Sequence, residues 1–120
     1  MANILIVDDS RTSRKILKDI LVQLGHTVVG EACNGQEGCD KYDELKPDIV
    51  TMDITMPVMD GLEALRTIKD KDENAKVIMV TAAGQKTKMV EAVKSGASEF
   101  ISKPFETEQL EMVIDAVENS

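Results

Sequence analysis

The chain alternates short apolar runs with segments in which apolar residues recur every three or four positions. The short runs predict strands, and the recurring pattern predicts amphipathic helices. Alternation of this kind along a whole chain is typical of β-α units stacked around a parallel sheet. Five strands are predicted, at residues 4–7, 27–29, 48–53, 77–81 and 100–101.

Five helices are predicted between and after these strands. Gly25 is expected to cap the first helix, and Pro47 blocks continuation of the second. Asp60 followed by Glu63 resembles a capping box and opens the third helix. The predicted buried sides are Ile16, Leu17, Ile20, Leu21 and Leu24; Cys39, Tyr42 and Leu45; Leu62, Leu65 and Ile68; Met89, Val90 and Val93; and Leu110, Val113, Ile114 and Val117.

The order of elements predicts an α/β fold with an open, doubly wound parallel sheet, because crossovers between parallel strands are right-handed. A length of 120 residues fits a single domain spanning residues 1–120. Ligands of such sheets bind beyond the carboxyl ends of the strands. The residues that follow each strand are therefore the first candidates for function.

Charge and composition narrow the classes of function. A surplus of 22 acidic over 14 basic residues gives a net charge of -8, which disfavours binding to nucleic acid. No apolar run could cross a membrane and no signal peptide is evident, so a cytoplasmic location is expected. Cys33 and Cys39 are interpreted as reduced packing residues, and the single His26 as a solvated turn residue.

Unusual polar residues end the strands. Asp8 and Asp9 follow the first strand, Asp53 ends the third, Thr81 the fourth, and Lys103 follows the fifth. Two ionised carboxylates about 4 Å apart repel by roughly 4 kcal/mol at an effective dielectric constant near 20, so these acids need a cation. Mg²⁺ suits a site of carboxylates, water and phosphate oxygens.

These residue types can support transfer of a phosphoryl group. The Asp53 carboxylate is a candidate nucleophile, while Lys103 and the Thr81 hydroxyl can pair with phosphoryl oxygens. Simpler interpretations exist: Asp8 and Asp9 could cap the first helix, and Lys103 could merely compensate one acid. The placement of all five residues at one sheet edge favours a functional site.

On these residues the chain resembles the receiver domain of two-component response regulators, over nearly its full length. The family's paired acids match Asp8-Asp9, its phosphoacceptor matches Asp53, its hydroxyl matches Thr81, and its lysine and cis proline match Lys103-Pro104. Its turn after the acceptor matches Met56-Pro57 and Asp60-Gly61. The resemblance implies a flavodoxin-like sheet with the strand order 2-1-3-4-5.

The resemblance also implies how Mg²⁺ is bound. Asp9 and Asp53 would bind the ion directly, Asp8 largely through water, and Thr55 through its backbone carbonyl. Thr55 and Ala83 lie where the family tunes the lifetime of its phosphoryl group.

A switch around the phosphate is implied as well. Thr81 and Ala82 would lie beside the phosphoryl group, and Phe100 stands at the position of the family's rotating aromatic residue. Phe100 lacks a hydroxyl, which removes any contact that needs a tyrosine. Because Ala82 leaves space beside it, inward rotation of Phe100 with movement of Thr81 stays physically possible.

Within the family, the segment 51–57 and the lack of an effector domain make the chain most similar to stand-alone chemotaxis regulators. Such proteins are monomeric switches, not turnover enzymes. Their partners are a sensor histidine kinase, in some cases a phosphatase, and a target such as the flagellar motor switch. The target binds the surface formed by the fourth helix, fifth strand and fifth helix.

Three other functions are weighed against this one. A phosphorelay intermediate would have the same site and pass its phosphoryl group to a histidine. A phosphatase of the haloacid-dehalogenase type needs a second acid where this chain has Thr55. A flavodoxin-like flavin binder would cradle phosphate where Asp8 and Asp9 stand, and the chain has no Trp and one Tyr to stack on a flavin.

Overall fold

The computed structural model describes residues 1–120 and contains one sheet of five parallel strands. The strand order is 2-1-3-4-5, and the structure thus confirms the predicted fold class. The strands are β1 (Asn3–Val7), β2 (Thr27–Ala32), β3 (Ile49–Asp53), β4 (Val77–Thr81) and β5 (Glu99–Ser102).

Five helices connect and follow the strands: α1 (Arg11–Gln23), α2 (Gly35–Leu45), α3 (Gly61–Lys71), α4 (Lys86–Lys94) and α5 (Thr107–Glu118). The Asp60 side chain accepts from the Glu63 N–H, so the predicted cap of α3 is confirmed. Gly25, with a φ of 94°, ends α1 in the left-handed region that a glycine adopts without strain. No helix is long and apolar enough to cross a bilayer.

The sheet separates two apolar cores. One core joins one face of the sheet to α2, α3 and α4, and the other joins the opposite face to α1 and α5. All residues of β3 and β4 are buried, because helices cover both faces of the central strands. A central, covered strand is a costly place for the carboxylate that ends β3.

Two predicted details of the strands and cysteines are wrong. Strand β2 runs to Ala32 instead of Val29, because an irregularity in the register opposite β1 lets the pairing continue past Gly30. Cys33 is exposed and packs in neither core, whereas Cys39 is buried as expected.

Three apolar residues that the periodicity placed on buried helix faces are exposed. The face of α1 that meets the sheet centres on Leu17 and Leu21, and Ile16 lies at its flank. In α4 only Ala92 is fully buried, and Val90 and Val93 turn to solvent. In α1 and α4, the part of the helix surface that contacts the core is narrower than the stripe of apolar residues along the helix.

Candidate functional site

Three carboxylates meet at the carboxyl edge of the sheet. Asp8 follows β1 and Asp53 ends β3, and these strands are neighbours in register, with Val7 beside Met52. Carboxylate oxygens of Asp8, Asp9 and Asp53 all lie within 4.8 Å of one another. Asp8 and Asp53 are buried, whereas Asp9 is exposed and keeps the group open to solvent.

Lys103 is the cation that contacts two of these acids, Asp8 and Asp53. Its Nζ lies 3.0 Å from Asp8 Oδ2 and 3.8 Å from Asp53 Oδ2. Its backbone N–H donates to the carbonyl of Thr81 at 2.9 Å, which ties the loop after β5 to the end of β4. The Lys103–Pro104 peptide bond is cis. We call Asp8, Asp9, Asp53 and Lys103 the acidic hollow.

The electrostatics of the acidic hollow are unbalanced. Burial is the main cause that raises the pKa of Asp53 from 3.8 to about 6. The charge of Asp8 raises the pKa further, the ammonium of Lys103 opposes the rise, and Asp9 adds a smaller upward push. One cation therefore does not offset the burial and repulsion that Asp53 experiences.

The acidic hollow fits Mg²⁺ by its donor set. Three carboxylates supply hard oxygen ligands, and the exposed Asp9 leaves room for the waters that Mg²⁺ retains. The raised pKa of Asp53 shows that a further positive charge would be favourable. Thr55 and Ala83 are both exposed in the loops after β3 and β4.

The predicted switch residues Thr81, Ala82 and Phe100 contact groups outside the acidic hollow. The Thr81 hydroxyl is buried and points to the carbonyl of Ile101 in β5, with 3.5 Å between the oxygens. The Ala82 N–H donates to Gln85 Oε1 at 2.7 Å. Phe100 is half-buried and packs against the core beneath α4.

Two contacts of Asp8 were not anticipated from the sequence. Ser10 is the N-cap of α1, and its backbone N–H donates to Asp8 Oδ1 at 2.8 Å. The alternative in which Asp8 and Asp9 cap this helix is therefore wrong. Arg14 Nη1 donates to the Asp8 carbonyl at 2.6 Å, and Arg14 Nε donates to Glu31 at 3.2 Å.

Serine is a favoured N-cap residue type, and its position shortly before the first predicted helix could have identified Ser10 from the sequence. Nothing local indicates the Arg14 contact, because its partner is a backbone carbonyl. Gln85 carries no motif that indicates its two partners, which come from separate loops.

A surface cavity of about 650 Å³ lies beside α1, and no residue of the acidic hollow lines it. Three of its four cations pair with the two acids of the lining: Lys15 with Asp19 at 3.2 Å, and Arg14 and Lys18 with Glu31 at 3.2 Å and 3.6 Å. Only one lining residue is hydrophobic, which disfavours an organic ligand. The lining residues are Arg11, Thr12, Arg14, Lys15, Ile16, Lys18, Asp19 and Glu31.

Residues 4–115 match the response regulator receiver domain family. The chain is 50% identical over 114 residues to the chemotaxis protein CheY of Thermotoga maritima, covering 95% of each chain. It is 52% identical over 120 residues to the chemotaxis protein CheY of Listeria monocytogenes, covering 100% of this chain and 98% of the relative.

Among solved structures, the chain is similar to one in the crystal structure of the CheX–CheY–BeF₃–Mg²⁺ complex from Borrelia burgdorferi. The TM-score is 0.91 at 38% identity, covering 96% of this chain and 87% of the other. A response regulator receiver domain protein from Clostridium thermocellum has a TM-score of 0.93 at 31% identity, covering 99% and 95%.

Proposed function

The chain belongs to the response regulator receiver domain family, and from this premise we propose that it is a phosphorylation-activated switch whose phosphoacceptor is Asp53. Its close relation to CheY regulators makes it a signalling protein and not a classical turnover enzyme. The observation that carries the assignment of Asp53 is a buried carboxylate at a strand end, with its pKa raised to about 6, between two more acids and a lysine.

In the proposed reaction, an oxygen of the ionised Asp53 carboxylate attacks the phosphorus of a phosphohistidine on a sensor histidine kinase. The bond between phosphorus and the imidazole nitrogen breaks, and that nitrogen keeps the electron pair. Asp8, Asp9, Asp53 and the Thr55 carbonyl would hold Mg²⁺. When bound, the ion would supply positive charge that offsets the acids and the charge developing on the phosphoryl oxygens. Burial of Asp53 reduces the solvation of the attacking carboxylate.

The residues around Asp53 would respond to the new phosphoryl group. Lys103, already 3.8 Å from Asp53, is placed to pair with a phosphoryl oxygen. The Thr81 hydroxyl would leave the Ile101 carbonyl to donate to a second oxygen, and Phe100 would turn toward the space that Thr81 vacates. The Ala82 N–H is the further donor at the end of β4. Phosphorylation would thereby change the surface around β5.

The proposed output surface consists of α4, β5 and α5. Val90, Val93 and Met112 are large apolar residues exposed on these helices, which suits a protein partner. Since the relatives are chemotaxis proteins, we propose the flagellar motor switch as the target. A phosphatase is a further proposed partner, and the protein is proposed to be a cytoplasmic monomer with one receiver domain over residues 1–120.

The phosphoacceptor is tested by intact-protein mass spectrometry after incubation with acetyl phosphate and Mg²⁺. We expect wild-type protein to gain one phosphoryl group and Asp53→Asn to gain none. Asp48→Asn is the matched control, because Asp48 immediately precedes the same strand at its opposite end. Equal labelling of Asp53→Asn and wild type would show that another residue is the acceptor.

The target is tested by affinity capture from the source cells with protein treated with beryllofluoride and Mg²⁺ or left untreated. A motor-switch protein enriched by beryllofluoride would support the chemotaxis proposal. Enrichment of a histidine phosphotransferase instead would favour the phosphorelay alternative. Val93→Ser on α4 should weaken capture of a motor-switch protein while leaving phosphoryl labelling unchanged.

A further inference from the structure

Gln85 bridges the two loops that flank Asp53. Its side-chain Oε1 accepts from the Ala82 N–H at 2.7 Å, in the loop after β4. Its Nε2 donates to Thr55 Oγ1 at 2.9 Å, two residues after Asp53 in the loop that follows β3. Both groups of one amide are therefore used in holding the two loops together.

This arrangement differs from the usual role of a residue at the start of a helix. Gln85 is the N-cap of α4, yet its side chain makes no hydrogen bond to the first turn of that helix. By contrast, Ser10, Asn34 and Asp60 each cap the helix that they precede. The Gln85 side chain is turned back toward the loops at the carboxyl edge of the sheet.

We propose that Gln85 is a latch that holds the Ala82 N–H in the unphosphorylated protein and must release it when Asp53 is phosphorylated. This inference rests on the proposed function, in which a phosphoryl oxygen on Asp53 takes the Ala82 N–H. A backbone amide has one hydrogen to donate, so the Gln85 oxygen and the phosphoryl oxygen compete for it. The latch favours the unphosphorylated state by the strength of this contact.

Thr55 orients the side-chain amide of Gln85. The Thr55 hydroxyl accepts from Gln85 Nε2, which orients the amide so that its oxygen faces the Ala82 N–H. Thr55 thus acts through Gln85 as a positioning residue. The side chain of Thr55 has this role independently of any metal contact of its backbone carbonyl.

The first test measures the affinity for beryllofluoride, a phosphoryl mimic, by calorimetry at saturating Mg²⁺. Loss of one competing hydrogen bond should make Gln85→Ala bind about two- to tenfold more tightly than wild type. Thr87→Ala is the matched control, because Thr87 is a neutral, exposed residue in the first turn of α4, two residues after Gln85. Its affinity should equal that of wild type.

A merely structural role of Gln85 would lower the melting temperature without tightening beryllofluoride binding. Thr55→Val removes the hydroxyl at nearly constant volume and should tighten binding less than Gln85→Ala. The double variant should bind as Gln85→Ala does, since Thr55 acts through the same amide. Fully additive effects would show that Thr55 acts separately.

Hydrogen exchange at the Ala82 amide tests the contact without any phosphoryl chemistry. In the metal-free protein this amide should exchange faster in Gln85→Ala than in wild type or Thr87→Ala. If Gln85→Ala left the exchange rate of the Ala82 amide unchanged, the latch would be overturned. The same holds if wild-type protein bound beryllofluoride normally and Gln85→Ala bound it with the same affinity. Neither result would contradict the proposed function. If wild-type protein failed to bind beryllofluoride at all, the proposed function would fail and the competition with it.

Discussion

The two edges of the sheet differ in how their acidic groups are paired with donors. At the amino edge each acceptor has a donor of its own: Asp48 accepts from the Asn3 N–H at 2.8 Å, and Glu118 pairs with the terminal ammonium at 2.9 Å. His26, predicted to be solvated, is half-buried there and accepts from the Ala2 N–H. At the carboxyl edge, three carboxylates lie together, and one lysine contacts two of them, Asp8 and Asp53.

The pKa values of acids at the two edges are also shifted in opposite directions. The hydrogen bond from the chain terminus lowers the pKa of Glu118, whereas burial and Asp8 raise that of Asp53 to about 6. At the amino edge, the ammonium of the chain terminus thus favours the charged form of Glu118. The acidic hollow instead retains a carboxylate whose charged form the fold disfavours, in keeping with the proposed role of Asp53 as phosphoacceptor.

The largest effect on stability is expected from Asp53→Asn in metal-free protein. Because the folded pKa of Asp53 is raised, its contribution is fully present below the unfolded value of 3.8 and is lost as the pH rises through about 6. At pH 7.5 the variant should be more stable than wild type by about 2 to 3 kcal/mol, and at pH 4 by far less. Urea denaturation at both pH values measures this.

Asp48→Asn at the amino edge is the control for that comparison. The amide oxygen of the new side chain can still accept from the Asn3 N–H, so its stability should change by less than about 0.5 kcal/mol. A lower urea midpoint for Asp53→Asn than for wild type at pH 7.5 would contradict the proposed difference between the edges.

Lys103→Met should have the next largest effect. It removes the cation that contacts Asp8 and Asp53 and leaves both carboxylates uncompensated. Because a quarter of the Lys103 side chain is exposed, we expect a loss of about 2 kcal/mol at pH 7.5, less than for a fully buried pair. Thermal and urea unfolding of metal-free protein provide the measurement.

Lys76→Met is the matched variant at the amino edge, where Lys76 Nζ contacts only the carbonyl of Ser120 at 3.2 Å. Its loss should stay within about 0.5 kcal/mol. Equal losses for the two lysine variants would show that the Lys103 contacts are not special. In an Asp53→Asn background, Lys103→Met should cost less, since one of its two partners has become neutral.

The smallest of the three effects is stabilisation by Mg²⁺. An ion at ten times its dissociation constant stabilises the folded state by about 1.4 kcal/mol, which raises the melting temperature by several degrees. We expect this shift in wild type and in Asp48→Asn, and a much smaller one in Asp53→Asn. A melting temperature that did not respond to millimolar Mg²⁺ would argue against a metal site in the acidic hollow.

Much of the fold follows from local pattern. The alternation of apolar runs and helical periodicity predicted the five strands and five helices, and Asp60 marked the start of α3. Periodicity does not distinguish between neighbouring faces of one helix. It predicts that Val90 and Val93 of α4 are buried, whereas both are exposed. Which face of a helix is covered depends on the partner it packs against.

The sequence by itself determined that Asp8, Asp9, Asp53 and Lys103 would gather, because each follows or ends a strand and the ends of parallel strands share one edge. Only the tertiary structure decided the distances, the burial that raises the pKa of Asp53, and the contacts of Gln85. The physical reason is range: the apolar runs and the polar residues that follow them are local features of the chain. The limits of a strand such as β2, pKa values and hydrogen bonds between loops depend on atoms that folding alone brings together.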